Sequence, residues 1–322
     1  LGHRAVLVAG GRLGELVLGT AQALLSDGTW EVLPRMPTAR CACAAATVGH
    51  RLYVMGGYAE GLDLDVVDMF DSVQGAEGRW ISGCIPMLVA RSACAAASPA
   101  HVRGDRFGSP VYLVGGTNAG VELCHLEVLL GAAGAPDDLE FEALPQMPTP
   151  RQACAAAVAG ECQLYVVGGS WRGECLSTVE RFDPQARAWH AVPPLRRRRS
   201  ACAAAVAAGA VFAIGGYAGS APLREVERLD LATCEWESLP DLVTPRKWLA
   251  AALFAGRLLV FGGFDGCGPA TEVESLSRAS VSWMRLQQPM PDAREGIAAA
   301  VVGSYGTPTR RAGYGARDRT KK

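Results

Sequence analysis

The sequence predicts an all-β fold in which one four-stranded unit recurs six times around a closed ring. Three observations predict it. A run of β-branched and aromatic residues ends in Gly-Gly six times, a polar residue follows each pair at one fixed distance, and an arginine opens a stretch of small residues in every unit. A period of about 47 to 60 residues with room for four short strands means an array of sheets. Length alone would suggest two domains for 322 residues, but a closed all-β array takes that length as one.

Each unit is expected to begin with an inner strand such as "RSACAAAV", opened by Arg40, Arg91, Arg151, Arg199, Arg246 or Arg294. Alanine and cysteine suit a strand near the central axis, where neighbouring sheets crowd and leucine would overpack. The second strand is the apolar run ending at Gly10/Gly11, Gly56/Gly57, Gly115/Gly116, Gly168/Gly169, Gly215/Gly216 or Gly262/Gly263. Glycine there permits positive φ or a close approach of backbones. The third strand carries Gln22, Asp68, Glu127, Glu180, Glu227 or Glu274, always eleven residues after the second glycine. The fourth carries Trp30, Trp80, Phe141, Trp189, Trp236 or Trp283, whose rings bury area against an adjacent sheet.

The last arginine stretch, "REGIAAAVVG" (294–303), lacks a second half, and the N-terminal "LGHRAVLVAGG" lacks a first. Joined end to end they match "RCACAAATVGHRLYVMGG" (40–57). The chain is therefore expected to close its ring by pairing the C-terminal strand with the N-terminal segment, which removes an open sheet edge. The six units fall at about 40–90, 91–150, 151–198, 199–245, 246–293, and 294–303 joined to 1–39, within a single domain spanning 1–303. Residues 304–322, with six bases against Asp318 and no apolar period, read as a basic flexible tail.

Composition narrows the function. A net charge of −1 gives no global case for nucleic acid or an anionic membrane. No run of about 18 apolar residues and no charged leader before an apolar segment is found, so neither a transmembrane helix nor a signal peptide is expected. Eleven cysteines without a CxxC pair, four of them (Cys43, Cys94, Cys154, Cys202) at one repeated position, read as small buried thiols of a reducing compartment. No metal, cofactor or catalytic residue is expected: there is no phosphate loop, nucleophile elbow or HExxH, and the histidines are scattered.

Gly-Gly, an acidic position and a trailing Trp resemble the kelch repeat, and the resemblance covers residues 1 to about 303. It implies a six-bladed β-propeller with four antiparallel strands per blade. Gln22 in place of the acid, Phe141 in place of Trp, and long loops at 98–110 and 131–140 depart from the pattern without changing the count.

In such a propeller the second-to-third loops and the loops between blades share one face. By resemblance to kelch substrate receptors, partner contact falls to Arg40, Arg91, Arg151, Arg199, Arg246 and Arg294, and to Tyr58, Tyr217 and Phe264 after Gly-Gly. Trp171 and Arg172 occupy the same loops, and "LRRRRS" adds Arg196, Arg197 and Arg198. Arginine forks beside aromatic rings suit an acidic protein or peptide. A structural role for an arginine repeated six times is weighed equally with binding. The resemblance implies a cytoplasmic or nuclear interaction module, foremost a substrate receptor reaching a cullin-RING ubiquitin ligase through a BTB or F-box domain outside this chain. An actin or cytoskeletal adaptor is the alternative, and a kelch-type sugar oxidase or isomerase is the competitor from the enzymes.

Overall fold

The computed structural model describes residues 3–74, 77–99, 109–134, 138–160, 162–277 and 282–305. It contains six four-stranded antiparallel sheets arranged as a β-propeller. From inner to outer strand, blade 1 is Ala44–Val48, Arg51–Met55, Val67–Asp71 and Arg79–Ile81. Blade 2 is Ala95–Ala97, Val111–Val114, Leu126–Leu130 and Glu140–Leu144; blade 3 is Ala155–Ala159, Gln163–Val167, Val179–Asp183 and Ala188–Val192. Blade 4 is Ala203–Ala207, Ala210–Ile214, Val226–Asp230 and Glu235–Leu239; blade 5 is Ala250–Phe254, Arg257–Phe261, Val273–Ser277 and Met284–Arg285. Blade 6 takes its inner strand, Ala298–Tyr305, from the end of the chain and His3–Ala9, Ala21–Leu25 and Trp30–Leu33 from its start. Ala9 faces Ala298 and Ala5 faces Val302 across the seam. The expected tail begins inside that last strand; residues 306–322 lie outside the described residues, as do most of the long loop at 98–110 and part of that at 131–140.

The core lies between blades. Successive residues of a strand point to opposite faces of its sheet, and in the second and third strands both faces are covered. In blade 1, Leu52, Val54 and Phe70 pack on blade 6, while Tyr53, Met55, Val67 and Met69 pack on blade 2. A strand enclosed on both sides has no polar alternation, which explains the unbroken apolar runs before each Gly-Gly. Inner strands do alternate: Ala44, Ala46 and Val48 are buried between blades, and Ala45 and Thr47 line an axial cavity of about 900 Å³.

The outer tryptophans fasten each blade to the one before it. Trp80, Trp189, Trp236 and Trp283 donate their indole N–H to the carbonyls of Pro34, Pro145, Pro193 and Pro240 at 2.8–3.1 Å. Blade 2 has Phe141, which cannot donate. The blade before it ends irregularly at "ISGCIP", and Phe141 packs instead among Met69, Met87, Cys84 and Ile85. The long loop of blade 2 adds its own link: Tyr53 Oη donates to the Ala132 carbonyl at 2.6 Å, and Arg51 donates to that of Gly134.

Candidate functional site

All six repeat arginines are 0% exposed. Each reaches back beneath the loop face into its own blade, where Nη1 donates to the carbonyl of the first glycine and to that of the residue just before the third strand. Arg40 thus meets Gly56 at 2.9 Å and Val66 at 2.8 Å, and Arg199 meets Gly215 at 2.9 Å and Glu225 at 2.8 Å. Nη2 carries the charge to the acid of the third strand: Arg40 to Asp68 at 2.6 Å, Arg151 to Glu180 at 3.1 Å, Arg199 to Glu227 at 2.5 Å, Arg246 to Glu274 at 2.6 Å, and Arg91 to Glu127. Burial pushes the Glu127 carboxyl up, and Arg91 opposes the shift. A partner docking on the loop face touches no part of these side chains. The contact role expected for Arg40, Arg91, Arg151, Arg199, Arg246 and Arg294 is therefore corrected to a structural one.

Blade 6 solves the same problem differently. Gln22 occupies the acidic position and brings no charge, so Arg294 pairs with Asp292 at 2.7 Å, while Gln22 Nε2 donates to the same carboxylate at 2.8 Å. The charge has moved from the third strand to the loop just before the arginine. Asp292 keeps 47% of its side chain exposed, whereas Arg294 is enclosed and its pKa is lowered by burial.

The glycine pairs complete the layer. The first glycine has φ of 52–64°, and a Cβ on it would lie 2.3–2.7 Å from the carbonyl oxygen of the next blade's repeat arginine. The N–H of the second glycine donates to that same carbonyl at 2.8–2.9 Å. Two residues after each arginine, the backbone closes a ring around the axis: Ala42 donates to Gly296, Gly296 to Trp248, Trp248 to Ala201, Ala201 to Ala153, Ala153 to Ala93, and Ala93 to Ala42, all at 2.7–2.9 Å. Each member of that ring has positive φ. Below it stand Cys43, Cys94, Cys154 and Cys202, whose thiols burial pushes up to about 12, 12, 12 and 11.

Above this repeated layer stands a crown that differs at every blade. The residue after each repeat arginine bridges to the residue after each Gly-Gly, giving the pairs Cys41–Tyr58, Ser92–Thr117, Gln152–Ser170, Ser200–Tyr217, Lys247–Phe264 and Glu295–Arg12. Lys247 Nζ lies 4.8 Å from the Tyr217 ring and 5.3 Å from the Phe264 ring, and no carboxylate pairs with it among the described residues. Arg172, held at φ 52° in the two-residue turn with Gly173, covers the Trp171 ring at 4.6 Å. Tyr58 is 42% exposed. Trp248, partly buried on Ala93, Ala153 and Ala201, sits on the axis where the other blades place alanine or glycine.

The expected aromatics Tyr58, Trp171, Tyr217 and Phe264 and the expected Arg172 all lie on this face. Arg196, Arg197 and Arg198 lie there too, but their charges are engaged: Arg196 donates to the Trp236 carbonyl at 2.7 Å, Arg197 pairs with Glu225 at 2.7 Å, and Arg198 with Glu174 at 3.1 Å. Sequence reading passed over Lys247 and Trp248. Their signal is "RKWLAAA", where a cation and the largest side chain replace the small residues that follow the arginine in most other repeats.

Comparison with known proteins agrees with this architecture. The Kelch motif matches residues 39–81, 153–196 and 198–243. Human Kelch domain-containing protein 8B is 47% identical over 58 residues, covering 17% of this chain and 16% of that protein. Its Bos taurus counterpart is 40% identical over 62 residues, covering 19% and 18%. Human Kelch repeat and BTB domain-containing protein 13 is 32% identical over 107 residues, covering 33% of this chain and 22% of that protein. The matched stretches thus span less than a quarter of the length of these relatives.

Proposed function

We propose that this chain, a kelch-repeat β-propeller, is a protein-interaction module that receives an acidic peptide on the crown of its loop face. One observation carries the reading: Lys247 stands between Tyr217 and Phe264 without a carboxylate partner among the described residues, above a layer in which every repeat arginine is paired with a carboxylate. A lysine held over aromatic faces keeps its ammonium partly desolvated and aimed, which favours an incoming carboxylate over water. Trp171 under Arg172 offers a second cation of this kind, and Trp248 offers ring area at low entropic cost.

The similarity to a kelch protein whose name includes a BTB domain supports a narrower reading, in which the propeller selects substrates for a cullin-RING ubiquitin ligase in the cytoplasm or nucleus. That role needs a further domain, outside residues 1–322, to engage the cullin. The test is selection of displayed random peptides on the purified propeller, followed by counter-selection with Lys247→Glu and Tyr217→Ala. Enrichment of Asp- and Glu-rich sequences that disappears with either variant is expected. Selected peptides without acidic bias, or acidic peptides retained equally by both variants, would overturn it.

A further inference from the structure

The loop face is divided, and its second half carries chemistry of the opposite kind. On the second-to-third loops of blades 6, 1 and 2 (10–20, 56–66 and 115–125), Leu13, Leu16, Leu62 and Val121 stand exposed, the last three at 63%, 66% and 65%. Single exposed leucines are ordinary on protein surfaces, whereas several on neighbouring loops form a patch. The loops are coupled: the Ala119 N–H of blade 2 donates to the Asp63 carboxylate of blade 1 at 2.8 Å. Leu88, 54% exposed, extends the patch outward, since the backbone beside it is bonded to that of Asp65. No strongly exposed aliphatic residue occurs on the corresponding loops of blades 3, 4 and 5 among the described residues.

Charge follows the same division. These three loops hold five carboxylates, Glu15, Glu60, Asp63, Asp65 and Glu122, and a single guanidinium, Arg12, already paired with Glu295 at 3.0 Å. Glu15, Glu60 and Asp65 have no cationic partner among the described residues. An aliphatic patch rimmed by unpaired carboxylates does not suit an anionic membrane or nucleic acid. It suits a helix with leucine-type side chains on one face and lysine or arginine along its borders.

We propose that blades 6, 1 and 2 form a docking surface for a basic amphipathic helix of a partner protein, separate from the cationic part of the crown on blades 3, 4 and 5. The proposal rests on the loop face being an interaction surface and adds a partner of opposite charge on its other half. Such a surface would let one propeller hold two segments at once, an acidic one and a basic one.

The test uses the intact chain and a fluorescent synthetic helical peptide with leucines on one face and lysines on the other, followed by anisotropy. Saturable binding is expected, weakened about tenfold or more by Leu16→Ser with Leu62→Ser, and likewise by Glu60→Lys with Asp65→Lys. These side chains are exposed, so the fold should tolerate the changes, and circular dichroism checks that it does. Lys247→Glu, which should abolish acidic-peptide selection, leaves this binding unchanged. Four results would overturn the proposal: no saturable binding, equal binding of an analogue with glutamates in place of lysines, loss with the charge variants but not with the leucine variants, or a concentration-dependent dimer abolished by Leu62→Ser. Failure of acidic-peptide selection with this binding intact would remove the crown reading and leave the docking surface standing.

Discussion

Arg246 and Lys247 are adjacent cations with opposite fates. Arg246 is wholly enclosed, donates to the carbonyls of Gly262 and Glu272, and pairs with Glu274 at 2.6 Å; Lys247, one residue on, lies on the loop face over two aromatic rings. The same contrast holds around the whole disc between the buried layer and the crown above it. The layer repeats because six blades pose one packing problem, joining a glycine-ended strand to its neighbour through a buried guanidinium. The crown varies because its side chains stand outside that shared packing problem. In a repeat protein, identity across repeats reports structure, and departure from the repeat is where recognition is to be sought.

The contrast is broken most directly by removing a buried arginine. Arg199→Ala leaves Glu227 enclosed without its cation and the Gly215 carbonyl without its side-chain donor, and should cost about 3–5 kcal/mol in chemical denaturation. A loss below about 1 kcal/mol would mean that the layer does not hold the blades. Gly115→Ala comes next: at φ 63° its methyl would lie 2.6 Å from the Arg151 carbonyl oxygen, and a destabilisation of about 2–3 kcal/mol is expected from strain and displacement together.

The relocated acid of blade 6 sharpens the comparison between blades. Asp292→Asn should cost about 1–2 kcal/mol, less than a fully buried pair because water reaches the half-exposed carboxylate. Adding Gln22→Glu restores the arrangement of the other blades and should recover most of that loss. Two additive changes in a double-mutant cycle would show that the positions do not share one arginine.

The buried thiols set an alkaline limit. Their folded pKa values, about 11 to 12, lie above the ordinary thiol value of 9.0, so their contribution is intact below pH 9 and is lost as pH rises toward 12. Alanine at Cys43, Cys94, Cys154 and Cys202 together should flatten the fall in stability across that window; an unchanged slope would place the titration elsewhere. The smallest effect belongs to the crown. Lys247→Ala should shift stability by less than about 0.5 kcal/mol, and a larger loss would make it a structural residue like its neighbour.

Blade number, strand order and the seam were legible because they depend on periodicity and on the length of apolar runs, which are properties of the chain in order. The pairing of "REGIAAAVVG" with "HRAVLVA" needed only that the two halves of one repeat be recognised at opposite ends. The arginines were read only halfway. A six-fold arginine beside six loops is compatible with burial or with display, and the side chain is long enough to reach either. Whether the guanidinium turned inward depended on the Gly56 carbonyl, the Val66 carbonyl and the Asp68 carboxylate converging from positions 16 to 28 residues away in blade 1.

Asp292 taking over from Gln22, the ring of backbone bonds from Ala42 to Gly296, and the division of the loop face into an aromatic-cationic and an aliphatic-acidic half were beyond reach for a related reason. The ring and the division join residues of different blades, and Asp292 meets Gln22 across 270 residues of chain, separations that carry no record of distance in space. Sequence alone therefore determined the repeating sheet and its closure, since local propensity and a regular period dictate both. Only the tertiary structure decided which charges are spent inside the protein and which are left for a partner, because burial is a property of what surrounds a side chain.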